Sequence, residues 1–274
     1  MENNCLSFRW IHAACYEFRL PGGKVLITDP FITPPALPGF GVEDVTGADY
    51  ILISHTHYDH TSDIRFLTDK FNSKLFVGEM SAPSLSNYLD LDYSHIFPLG
   101  QGEIYEGADF TLQMYRAKHT PHPKGHAVPS MAANVSRNNF GLEGYGECDK
   151  FGWLELCDYV ITLKNNFTIM IVAGIESSQQ IYEKAKAAHP ALVIRQTAEK
   201  NPGLYAAQLA RFGAQLCLPN HHEHLAQSAG MPAETFARLT AEALQTCAPY
   251  SSFMNPEPYR WYDVVLDVRA EETK

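Results

Sequence analysis

The segment Ser54-His55-Thr56-His57-Tyr58-Asp59-His60 follows directly on the apolar run Tyr50-Ile51-Leu52-Ile53. The run is aliphatic and β-branched, the pattern of a short buried strand. Such a strand delivers the polar segment to its C-terminal end. His55 and His57 are two apart, so in extended chain both side chains leave on one face, roughly 6–7 Å apart. Two imidazoles at that reach can close on one ion at about 2.0–2.1 Å. Asp59 and His60 lie past the strand end, where the chain must turn, and can face a second ion beside the first. Imidazole and carboxylate suit zinc, iron or manganese. The chain has 12 histidines in 274 residues. At that composition the pattern H-x-H-x-D-H arises by chance in roughly one such chain in a thousand.

The motif resembles the signature of the metallo-β-lactamase superfamily, which carries H-x-H-x-D-H after a strand. The resemblance implies an α/β fold, a four-layer αββα sandwich, over residues 1–274 as a single domain. It also implies a metal-dependent hydrolase. Trp10-Ile11-His12-Ala13-Ala14, followed by Ile27-Thr28-Asp29-Pro30-Phe31, is similar to the opening of the branch that holds the L-ascorbate-6-phosphate lactonases. In that branch the aspartate of D-P-F lies at the floor of the metal site, which makes Asp29 a candidate partner of a ligating histidine. A plain turn before Pro30 is the alternative. Residues 31–48 are rich in proline and glycine and read as a loop, either one wall of a substrate site or a surface excursion.

Further ligands follow from the same resemblance. The third histidine of the first site comes from a strand end, and His119 after Phe110–Ala117 fits best, with His122 as fallback. The last ligand follows a strand as P-x-H, which matches Pro219-Asn220-His221. His222 is placed behind the ligands, and both it and His224 stay open as proton donors or surface residues. Relatives carry G-D-T after the strand matching Phe167–Val172, and that aspartate bridges both ions. This chain has Ala173-Gly174-Ile175-Glu176-Ser177. Isoleucine cannot ligate, so either Glu176 reaches in or the bridge is absent.

His55, His57 and His119 thus form one expected site, and Asp59, His60 and His221 the other. Three protein ligands each leave a position open for water or substrate, as catalytic zinc sites do. Bound zinc, or manganese or iron, lowers the pKa of its water toward about 7. A metal-bound hydroxide could then attack a small ester, lactone or phosphoester, with Asp59 and His221 as ligands that also serve catalysis. The replaced aspartate motivates an alternative: a non-catalytic metal-binding or ligand-sensing protein of the same fold. A redox reading is weaker, because oxygen-reducing relatives usually place Glu where His57 stands.

Composition bounds the rest. The formal net charge is −10 and no Lys/Arg-rich run stands out, so nucleic acid is not an expected partner. No apolar run approaches 18 residues and the N-terminus lacks a basic-then-apolar segment, so no membrane span or signal peptide is expected and the expected location is cytoplasmic. The six cysteines have irregular spacings without C-x-x-C and read as reduced packing residues. Residues 125–158 read as an insertion, a lid or a subunit contact. Lys124 and Arg137 near it could hold an anionic substrate group. Aromatic-rich residues 140–153 and the terminal strand at Trp261 are candidate surfaces for a homo-oligomer.

Overall fold

Two sheets face each other, and the strand alternation of the sequence sorts their side chains into layers. The computed structural model describes residues 5–33, 39–120, 145–223, 225 and 229–265. The first sheet contains β1 (Leu6–His12), β2 (Cys15–Arg19), β3 (Val25–Thr28), β4 (Tyr50–Leu52), β5 (Lys74–Gly78) and β6 (Ile96–Leu99) in that order. A short β15 (Tyr262–Val264) closes its other edge against β1. β1 to β3 are antiparallel, whereas β3 to β6 are parallel. The second sheet holds β8 (Phe110–Lys118), β9 (Leu156–Leu163), β10 (Thr168–Val172), β12 (Leu192–Gln196), β13 (Leu216–Asn220) and β14 (Ser252–Phe253). β7 (Ile104–Glu106) and β11 (Glu176–Ser177) pair with different ends of β8.

Side chains alternate across each strand with period two. Leu26, Tyr50, Leu52 and Phe76 therefore face the second sheet and meet Leu112, Met114, Tyr159, Ile161 and Ile169 in the central core. Val25, Ile27, Ile51, Leu75 and Val77 face outward instead. They are covered by α1 (Tyr58–Thr61), α2 (Ile64–Phe71), α3 (Ala82–Leu89) and α4 (Gly146–Leu154). On the far side, Val160, Met170, Val172 and Val193 pack under α5 (Gln179–Ala188), α6 (Pro202–Ala210) and α7 (Ala233–Cys247). The order is helix, sheet, sheet, helix. α6 starts where the sequence says it should: Pro202 takes the first turn and the Asn201 side chain accepts from the amides of Gly203 and Leu204.

Asp59 and His60 sit where the chain turns past the strand end, and that turn is the short helix α1. Phe66 on α2 is exposed and lies under the Lys70 ammonium, 5.6 Å from its ring centre. The expected insertion at 125–158 is only partly described. Its described end is α4 and the start of β9, a fully paired strand of the second sheet. His122, His126, Lys124, Arg137 and His224 lie outside the described residues. All six cysteines are unbridged. No helix among the described residues is long and apolar enough to cross a membrane.

The fold joins both sheets at the end of β4. Ile51 and Ile53 are fully buried, each contributing about 1.5–3 kcal/mol relative to exposure. Beyond Leu52 the ladder ends, and the free backbone groups find other partners. Ile53 N–H donates to Phe76 O at 2.9 Å. The Tyr159 hydroxyl donates to Ile53 O at 2.8 Å, and Cys157 N–H to Ser54 O at 2.8 Å. Both of these donors belong to β9, so the motif is fixed by both sheets.

Candidate metal centre

Three strand ends converge here: β4 supplies His55 and His57, β8 supplies His119, and β13 supplies His221. The ligand atoms of His55, His57 and His119 lie within 4.8 Å of one another, as do those of Asp59, His60 and His221. In the first group, His55 Nε2 and His57 Nδ1 are 3.0 Å apart. In the second, the Nε2 atoms of His60 and His221 are 3.2 Å apart, and Asp59 Oδ2 is 3.7 Å from His60 Nε2. Two imidazoles at 2.0–2.1 Å from one tetrahedral ion have nitrogens about 3.3 Å apart, so the donor sets fit. The two groups adjoin, with the His55 and His60 ring centres 3.9 Å apart.

Four of the ring nitrogens that face away from the groups have partners, whereas His57 Nε2 is buried without a hydrogen-bond partner. His55 Nδ1 is 3.0 Å from Ser54 Oγ, and His119 Nδ1 is 2.9 Å from Thr120 O. His60 Nδ1 lies 3.2 Å from Asp29 Oδ2. His221 Nδ1 lies 3.7 Å from Glu223 Oε1. A ring that donates outward presents a lone pair inward, and such partners fix tautomer and ring direction. Asp29 does a second job, as its Oδ1 accepts from Ser54 N–H at 2.7 Å. It adopts φ +41° and His221 φ +50°. Left-handed backbone at a residue with a side chain costs about 1–2 kcal/mol. At His221 it is held by a hydrogen bond from its own N–H to Ala13 O at 3.1 Å.

Burial sets the protonation states. It pushes His55 well below the ordinary imidazole value, helped by the neighbouring histidines. It takes His57 down to about 3, and lowers His119. The first group is therefore neutral imidazole near pH 7, the form that ligates. His221 goes the other way: burial lowers it, but the carboxylates of Glu223 and Asp59 outweigh burial and raise it. Burial would raise Asp59, yet the imidazoles of His60, His221 and His57 hold it below the usual carboxylate range.

Two expectations need correction. Glu176 does not reach the site. It sits on β11 opposite Lys118, its side chain is 65% exposed, and its Oε2 takes the Lys118 ammonium at 2.6 Å. The strand pairing decides this, because Ile175 N–H is tied to Lys118 O at 3.0 Å. An exposed ion pair is worth about 0–1 kcal/mol, so Glu176→Ala should leave metal content per chain unchanged by elemental analysis; loss of an ion would restore the bridging role. His222 does not stand behind a ligand either. Its ring packs 4.1 Å from Trp10, and burial takes it down to about 4, so it is neutral near pH 7. The partner of His221 is Glu223, held down to about 2 by His221 against the upward push of burial. In the sequence its only trace is a carboxylate two residues after P-x-H.

Known proteins share this fold. The sequence model of the beta-lactamase superfamily domain matches residues 24–154. The chain is 24% identical over 243 residues to a UPF0173 metal-dependent hydrolase of Cupriavidus taiwanensis, covering 85% of this chain and 80% of that relative. It is 30% identical over 136 residues to a UPF0173 metal-dependent hydrolase of Anaeromyxobacter sp., covering 48% of each. Among solved structures, Igni18, a metallo hydrolase from Ignicoccus hospitalis, superposes with a TM-score of 0.66 at 12% identity, over 96% of this chain and 100% of that one. An isothiocyanate hydrolase from Delia radicum gut bacteria gives 0.60 at 15% identity, over 93% and 98%. Residues 24–154 thus resemble the beta-lactamase superfamily domain, and the chain shares the fold of these metallo hydrolases.

Proposed function

We propose that this chain is a metal-dependent hydrolase with His55, His57 and His119 holding one ion and Asp59, His60 and His221 a second. The observation that carries the reading is the pair of inward-facing donor sets, each within 4.8 Å, with the outer nitrogens of His55, His119, His60 and His221 already partnered. Zinc is the first choice, with manganese or iron as alternatives. A divalent ion there supplies a Lewis acid and lowers the pKa of a water molecule toward about 7. The chain's own part is to present the neutral imidazoles of His55, His57 and His119 at one position and an ionised Asp59 at the other. Asp59 ligates and orients the nucleophile, while Asp29 and Glu223 hold the rings of His60 and His221 in line. The reading extends to a small ester, lactone or phosphoester as substrate. The opening motif favours a lactone over a phosphodiester, in a protein of the cytoplasm.

A second reading rests on the outward turn of Glu176. Among the described residues no carboxylate stands in for the bridging aspartate of relatives at Ile175, and a sensor or other non-catalytic metal-binding protein needs none. Metal content of protein purified without added metal, followed by a panel of lactones and phosphodiesters, separates the readings. Two ions and lactone hydrolysis are expected. No ion, with none taken up on titration, overturns the metal reading. Ions without turnover favour the sensor, and Ile175→Asp should then raise metal occupancy and create a rate.

A further inference from the structure

Helix α4 reads Gly146-Glu147-Cys148-Asp149-Lys150-Phe151-Gly152-Trp153-Leu154. Glycine inside a helix is less favourable than alanine, so Gly152 calls for a close approach. The close neighbour is His57. A Cβ built on Gly152 would lie 2.3 Å from His57 Cδ2, 2.8 Å from Nε2 and 2.9 Å from the backbone nitrogen. The same atom on Gly146 would meet nothing within 4 Å. Trp153, the next residue, stands edge-on to two rings at once. Its ring centre is 4.6 Å from His57 and 4.5 Å from His119, at 63° and 67°. Those two histidines come from different sheets.

The grip extends to the residue between His55 and His57. The Thr56 hydroxyl donates to Cys148 O at 2.7 Å, and the Tyr145 hydroxyl donates to Thr56 O at 2.6 Å. Both Tyr145 and Cys148 are buried in the outer core of the first sheet. The helix is thus anchored in the scaffold on one side and seated on a candidate ligand on the other.

We propose that α4 positions the three-histidine group. Gly152 seats the His57 ring, and Trp153 holds the rings of His57 and His119 in register, so this half of the centre is assembled before an ion arrives. The inference rests on the metal reading above, and goes beyond it by giving one helix control of one ion and not the other. Displacing a group that orients a ligand typically costs about 10–100-fold in metal affinity.

The test uses the full chain stripped of metal by a chelator. Binding of Zn²⁺ is followed by calorimetry and of Co²⁺ by visible absorption, for wild type, Gly152→Ala, Gly146→Ala and Trp153→Phe. Gly152→Ala should weaken, by about 10–100-fold, the binding step that His55→Ala removes, and should shift the cobalt spectrum. The step assigned to Asp59, His60 and His221 should keep its affinity. Gly146→Ala, the same change on the same helix, should match wild type in both steps. Trp153→Phe, whose smaller ring cannot reach both imidazoles as the indole does, should weaken the same step several-fold. Equal binding by Gly152→Ala and Gly146→Ala overturns the proposal. If Gly152→Ala does not fold, as judged by metal-free thermal melting, an unchanged first step in Trp153→Phe overturns it instead. A wild-type chain that takes up no ion is a different failure, that of the metal reading itself.

Discussion

Replacing His55 by alanine should remove one ion per chain and lower turnover by about 1,000-fold or more. His55 is central to the cluster: its ring centre is 4.6 Å from His57, 3.9 Å from His60 and 4.9 Å from His119. Without it the first group keeps two imidazoles, too few to hold zinc against water at a catalytic site. A Lewis acid at the reacting centre is worth several kcal/mol, and each 1.36 kcal/mol is about tenfold in rate. The fold should survive, because the neighbours of His55 are polar and its backbone is held by the strand end. Elemental analysis and kcat/KM on whichever ester or phosphoester the wild type hydrolyses report the two effects together. A variant that keeps both ions and full turnover would remove the three-histidine group from the mechanism. Loss of turnover with both ions retained would mean that His55 acts on substrate instead.

The same neighbourhood shows what the sequence could and could not tell. H-x-H-x-D-H was legible because strand period and ligand spacing are local, so His55, His57, Asp59 and His60 follow from residue types alone. His119 and His221 needed the superfamily pattern, because a strand end reveals nothing about the other strand ends it will meet. Asp29 was placed by the same pattern, and the structure sets its carboxylate against both His60 and the Ser54 amide. Glu176 was misplaced because sequence distance from Ile175 cannot show that a two-residue strand pairs it with Lys118 and turns it to solvent. The role of Glu223 is not legible from sequence, because nothing in His221-His222-Glu223 shows that the carboxylate turns back to His221. The role of α4 was invisible for a related reason. Gly152 and Trp153 look like the glycine and aromatic residues of a loop until His57 is seen at their side.

Asp158→Asn should stabilise the protein above pH 7 by about 3 kcal/mol and leave it unchanged near pH 4. Asp158 lies on β9 between Cys157 and Tyr159, whose side chains enter the central core, so its own faces the helices over the second sheet. Its Oδ1 accepts from the amides of Ala173 and Gly174 at 2.9 and 3.1 Å, the segment where relatives carry the bridging aspartate. Burial pushes its pKa up to about 6, against the downward pull of Ser177, Gly174 and Arg195. The folded chain therefore holds this proton more tightly than the unfolded chain, in which Asp titrates near 3.9. The stabilisation is complete below about pH 4 and is lost as pH rises through about 6. Beyond that the buried carboxylate costs roughly 3 kcal/mol. Asparagine keeps an acceptor for both amides, can donate toward Ser177 and never ionises. Arg195 loses a nearby negative charge, but its donors still reach Gly174 O at 3.3 Å, Ile175 O at 3.2 Å and Gln208 Oε1 at 3.0 Å. The upward shift is net of the attraction to Arg195, which fixes the sign. Urea denaturation of both chains at pH 4 and pH 8 measures the difference. An Asn variant less stable than wild type at pH 8 would show that the Asp158–Arg195 pair, not burial, governs this position.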